Sequence, residues 1–164
     1  MIENFWETLA EIEPGTIARL ASLASERSWE IIFLTKRPRT AGATSQLQSQ
    51  RWLQANGFSH PCVYVVQGSR GRIAAALDLD IVVDDRSENC LDVIVDSRAK
   101  TLLVWREDDA GIPADASRLG IRVVRSVHEC LDVLIAMDDK STSSDMTLGD
   151  RLKKFLGLKA PLLV

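Results

Sequence analysis

Three groups of side chains in this sequence have the types and spacing for chemistry on a charged oxygen ligand. Thr35 closes the apolar run IIFLT and is followed by Lys36, Arg37 and Pro38. The loop QGSRGR, 67 to 72, follows the apolar run CVYVV and offers Arg70 and Arg72 beside two glycines. The run IVVDD, 81 to 85, ends abruptly in two carboxylates, Asp84 and Asp85. Open parallel sheets bind ligands at the carboxyl ends of their strands, so all three groups fall where a ligand would be held. A hydroxyl, a cation and two carboxylates on one rim suit a phosphoryl group held against a divalent metal. The acid pair demands compensation, because two carboxylates about 4 Å apart repel by roughly 4 kcal/mol at an effective dielectric near 20. Purely structural roles exist for each group. Thr35 could cap the next element and GSRGR could be a turn and helix start. Asp85 could cap the following helix, and Asp84 could pair with Arg70.

The elements that must position these residues are legible as alternating helix and strand signals. Apolar positions Ile17, Leu20, Ala21 and Ala24 recur at helical spacing after Pro14 and Gly15, predicting a helix over 15–27. WEIIFLT, 29–35, follows as a strand, then a helix over 40–56 with Gly57 as its stop. CVYVV, 62–66, is the next strand, and a helix over 71–78 leads into IVVDD. A helix over 87–97, a strand at 101–105, a polar loop and the strand IRVV at 121–124 complete the series. A helix over 126–137 then places Val127, Leu131, Leu134 and Ile135 on one face. Strands that are apolar throughout, separated by helices, imply parallel βαβ units covered on both faces, an α/β doubly wound, Rossmann-like sheet.

At 164 residues the core reads as one domain over 1–137. DDKSTSSD opens a polar linker over 138–146, and 147–164 form an amphipathic tail with Leu148, Leu152, Phe155 and Leu156 on one stripe and Gly157 as its end. Net charge is −3, with no dominant basic face, which gives no reason to expect nucleic-acid binding. No apolar run approaches the length of a membrane span, and the acidic start MIENFWETLAEIEPG is not a signal peptide. Cys62, Cys90 and Cys130 are widely spaced, and they read as small buried hydrophobes of a cytoplasmic, reducing environment. Gln46, Gln48 and Gln50 read as a solvated helix face, with a polar pocket lining as the alternative.

FLTKRP, GSRGR and VVDDRSEN, in this order and spaced by βα units, resemble motifs two, three and four of the haloacid dehalogenase-like superfamily. Its phosphatase and nucleotidase members are the nearest in look. PGTIARLASLASERSWEIIFLTKRP also resembles the helix and strand that precede the second motif there, so the likeness spans about 13–137. The resemblance implies that Thr35 hydrogen-bonds a phosphoryl oxygen and that Arg70 neutralises the phosphorylated intermediate. It implies Asp84 as a magnesium ligand and Asp85 as a direct or water-mediated one. A small phosphorylated molecule is the implied ligand.

One motif is missing. The family's first motif, a central strand ending in a DxD-type pair whose first Asp is the nucleophile, has no counterpart in MIENFWETLAEIEP. Glu3, Glu7, Glu11 and Glu13 stand there in a context that looks helical, with Phe5, Trp6, Leu9 and Ile12. Without a nucleophile the aspartyl-phosphate route is closed. The expectation is a domain related to magnesium-dependent phosphatases, inactive as it stands and a phosphoric-ester hydrolase only if a nucleophile strand lies upstream of Met1. The alternatives are a non-catalytic phosphate- or metal-binding module, an oligomerisation module, and acids left as relics on a structural domain. Loss of the central strand would leave the strands of Thr35 and Asp84 to pair directly, or to be bridged by another segment such as APLLV from this chain or a neighbour. A gap of unpaired backbone cannot stay open inside a sheet. A homo-oligomer is therefore one expectation.

Overall fold

The computed structural model describes residues 2–108, 112, 116 and 118–155, with side chains to residue 141. Among these residues five parallel strands and five α-helices alternate, except that no helix is described between β4 and β5. They are β1 (Ile32–Thr35), β2 (Cys62–Val65), β3 (Ile81–Asp84), β4 (Lys100–Val104) and β5 (Ile121–Val124), with α1 (Thr16–Arg27), α2 (Ser45–Ala55), α3 (Arg70–Ala76), α4 (Ser87–Asp96) and α5 (Val127–Phe155). The class is α/β. The strands form two small sheets rather than one: β1 pairs with β2, and β3, β4 and β5 pair in that order. Direct pairing of the Thr35 and Asp84 strands is therefore not what the chain does, and APLLV lies outside the described residues.

Local chemistry fixes the element ends. The Glu11 carboxylate accepts from the amides of Gly15 and Ile17, occupying donors that α1 cannot satisfy itself. Thr44 and Ser69 cap α2 and α3, accepting from the Leu47 and Arg72 amides at 3.2 and 3.0 Å. Gly57, at φ 98°, adopts the left-handed conformation that ends the α2 segment. At α5 the cap comes from far away: Glu13 accepts from Val127 N at 2.8 Å and His128 N at 3.0 Å, and holds Arg106 at 2.9 Å.

Alternation along the strands sorts the core. In the three-stranded sheet, Val82 and Leu103 pack toward α3 and α4, whereas Ile81, Leu102 and Val104 pack toward α5. Helices lie on both faces of that sheet, but Val83 of β3 stays exposed. In the two-stranded sheet, Phe33 and Val63 pack on Ile17, Leu20 and Leu53 of α1 and α2. The opposite face, with Cys62 and Tyr64, is exposed. No hydrophobic cluster of the described residues joins the two sheets.

Several expectations are corrected. The backbone of 138–145, expected as a polar break, is helical and continuous with α5. Leu156 and Gly157 lie outside the described residues, as do the side chains of Leu148, Leu152 and Phe155. The helical-looking N-terminus forms only a single 3-10 turn, Phe5–Glu7. Cys62 is exposed; Cys90 and Cys130 are buried, and all three are free thiols. Of Gln46, Gln48 and Gln50, only Gln46 is exposed as expected; Gln50 is half-buried. Gln48 is fully buried, accepting from Trp6 N at 3.0 Å and donating to Thr40 Oγ1 at 3.0 Å and to the Ala43 carbonyl. Gln46 and Gln50 reach across to the Val63 and Pro61 carbonyls.

Candidate functional site

Thr35, Arg70, Asp84 and Asp85 line one cavity of about 320 Å³, together with Lys36, Arg86 and Asn89. Strand ends and a helix start meet there, as expected of the carboxyl rim of a parallel sheet. A second cavity, about 380 Å³, lies between the carboxyl-terminal parts of α3 and α4 and is lined by Ala74, Leu79, Val95 and Arg98 among others. It brings together none of the residues singled out for chemistry.

Arg70 is the first residue of α3 and only 8% exposed. Its position is set by the contact between α3 and α4. Asp92 of α4 accepts from Ser69 Oγ at 2.8 Å and from Gly71 N at 3.0 Å, and these donors hold its carboxyl below the usual range. Gly71 lets the helices meet: a Cβ there would fall 2.1 Å from the Asp92 carbonyl oxygen. The guanidinium so placed is poorly satisfied. Its Nε lies 4.0 Å from Asp84 Oδ2, the outer limit of an ion pair, and its Nη1 is buried with no hydrogen-bond partner. The structural pairing of Asp84 with Arg70 is thus present only in its weakest form.

Asp84 ends β3 and is largely buried. Oδ1 accepts from Arg86 N at 2.9 Å and from Asn89 Nδ2 at 2.9 Å, and Oδ2 accepts from the same Nδ2 at 3.0 Å. Burial pushes its carboxyl above the ordinary value, and the neighbouring Asp85 charge adds to the rise. The Asn89, Arg86 and Arg70 contacts oppose it. Asp85 is exposed at the cavity, and α4 carries no side-chain cap, so the helix-capping role is not taken. Thr35 ends β1, where its carbonyl accepts from Val66 N at 2.8 Å.

The other cations separate clearly. Arg72 is 85% exposed at its side chain and leans toward Asp96 at 3.8 Å, away from the cavity. Arg37 sits 5.0 Å from the Trp6 ring centroid and 5.9 Å from that of Trp52, and donates to Ser49 Oγ at 3.0 Å. Lys36 and Arg86 do reach the cavity lining. Asn89 is the residue that sequence reasoning missed. It stands in the first turn of α4, five positions after Asp84, where a helical side chain can return to the strand end.

For magnesium the donor set is small. Among the described residues no three His, Cys, Asp or Glu side chains converge as a metal-holding group. Asp84 and Asp85 supply two carboxylates. That number suits magnesium, which is commonly bound through one or two carboxylates with waters and substrate phosphates completing the octahedron. In comparison with known proteins, no family model, no curated protein and no solved structure matches the chain.

Proposed function

We propose that this chain is a haloacid dehalogenase-like α/β domain whose cavity binds a phosphorylated small molecule together with magnesium. In these 164 residues it acts as a binding module rather than a phosphatase. The observation that carries the reading is Arg70, a buried guanidinium whose Nη1 lacks an acceptor. A buried donor without a partner costs about 1–3 kcal/mol, so such a group fits a site built for an absent anion. Thr35 would donate its hydroxyl to a phosphoryl oxygen, and Arg70 and Lys36 would offset the charge. Asp84 and Asp85 would hold magnesium, which would neutralise the remaining phosphate charge when bound. The raised carboxyl of Asp84 fits this role, since a nearby cation favours its ionised form.

Catalysis by the aspartyl route needs a carboxylate on a strand beside β1 and β3, and the described residues put none there. The reading belongs to a reducing, cytoplasmic setting; among the described residues no helix is long and apolar enough to cross a membrane. Thermal unfolding with inorganic phosphate and magnesium tests it. The midpoint should rise with both present, and by more than with either alone, because ligand bound only to the native state stabilises it. p-Nitrophenyl phosphate should not be turned over. No shift at millimolar phosphate, or an equal shift in Arg70→Ala, rejects the proposal.

A further inference from the structure

The cavity of Thr35 and Asp84 holds more positive charge than one phosphoryl group requires. Its lining carries three cations, Lys36, Arg70 and Arg86, against two carboxylates, Asp84 and Asp85. A phosphoryl group brings about two negative charges near neutral pH, and a magnesium ion on the carboxylates would bring as many positive ones. With both bound, one positive charge is left over.

The three cations stand at different depths. Arg70 is buried, whereas Lys36 is exposed and the Arg86 side chain is 67% exposed. Lys36 follows the end of β1 and Arg86 follows the end of β3, so a cation reaches the mouth from each strand. Neither is committed elsewhere. Lys36 has no hydrogen-bond or ion-pair partner among the described residues. Arg86 Nε lies 4.0 Å from Glu88, the outer limit of an ion pair, and an exposed pair of that kind contributes little. The backbone amide of Arg86, not its side chain, holds Asp84. There is space as well. A volume of about 320 Å³ is the liquid share of about ten waters, and one phosphoryl group fills only about half of it. Among the described residues no aromatic ring lines the cavity, so its walls favour acid groups over a planar ring.

We propose that the cavity takes a diphosphate, whose inner phosphoryl group meets Arg70 and Thr35 and whose outer one is held at the mouth by Lys36 and Arg86. Guanidinium and ammonium groups make charge-assisted hydrogen bonds to phosphate oxygens, and the second phosphoryl group supplies the negative charge that the first does not. This assignment rests on the anion site proposed above and specifies its ligand.

The test is isothermal titration calorimetry of the whole chain with inorganic phosphate and with inorganic diphosphate, each in excess magnesium. Diphosphate should bind about tenfold more tightly, the gain of one further charge-assisted contact. The ratio of the two affinities should fall to about one in a double variant, Lys36→Ala with Arg86→Ala, because both outer contacts are gone. Arg72→Ala should leave the ratio unchanged, since Arg72 leans away from the cavity toward Asp96. Equal affinities in the parent would overturn the diphosphate assignment and leave the phosphate site standing. So would a ratio unchanged in the double variant. A ratio lost equally in Arg72→Ala would also overturn it, by making the preference a matter of net charge. If neither ligand binds, the anion site itself falls.

Discussion

Arg70→Met separates a binding residue from a structural one. The substitution keeps an unbranched apolar stem, shorter than that of arginine, and removes its charge. Loss of the orphaned Nη1 relieves about 1–3 kcal/mol, the usual cost of an unpartnered buried donor. The attraction between Arg70 and Asp84 at 4.0 Å is also lost. At an effective dielectric near 20 that attraction is about 4 kcal/mol before desolvation. Desolvating a buried ion costs several kcal/mol, roughly as much as the attraction returns. Asp84 is not stranded, because Asn89 and the Arg86 amide still donate to it. The variant should therefore lie within about 1 kcal/mol of the parent in the absence of ligand, or above it. Urea denaturation read by tryptophan fluorescence measures this. With phosphate at a hundred times its Kd the parent should gain about 2.7 kcal/mol, and the variant nothing. A ligand-free loss beyond about 3 kcal/mol would make Arg70 a structural ion-pair partner. A phosphate gain preserved in the variant would refute the assignment of the anion to this cavity.

Gly71→Ala should destabilise by about 1–3 kcal/mol or more, because its Cβ meets backbone at Asp92 and α3 must move from α4; an unchanged urea midpoint contradicts that packing. Although burial works to raise it, the Glu13 carboxyl is held low by the Val127 and His128 amides and by Arg106. A carboxyl lowered on folding contributes stability above its unfolded value and loses it as pH falls through the folded one. Glu13→Gln should thus cost about 1 kcal/mol near neutrality and progressively less as pH falls below the ordinary glutamate value, and a pH-independent difference rejects the capping role. Burial pushes the Cys90 thiol up to about 12 and that of Cys130 to about 11. A thiol reagent should modify the exposed Cys62 quickly and the other two only in denaturant. Three fast thiols would contradict the core.

The strands were the most legible part of the sequence, because a short apolar run such as IVV, 81–83, between polar segments has few other uses. Thr35, Arg70, Asp84 and Asp85 could be placed on one rim because parallel strands put their carboxyl ends together. Pairing was not legible. The split between β1–β2 and β3–β5 depends on contacts between distant segments, which no local pattern encodes. Gln48 misled for a similar reason. Its spacing on α2 looks solvent-facing, but the amino-terminal stretch folds over it and takes its carbonyl. Cys62 begins a strand whose face has no helix against it, so an apolar context did not bury it. The polar 138–145 stretch lacks glycine and proline, so nothing in it forces a helix to stop. Asn89 escaped because its role is a return contact from a helix to the preceding strand end.

The most direct test of the anion site is an NMR titration of the chain with inorganic phosphate, with and without magnesium, following the Arg70 guanidinium Nε–H and the Thr35 amide. Saturable shifts of both signals, larger with magnesium and centred on the cavity of Asp84 and Asp85, are the predicted result. Signals that stay still to tens of millimolar phosphate, or shifts confined to exposed Arg72 and its neighbours, would contradict the account.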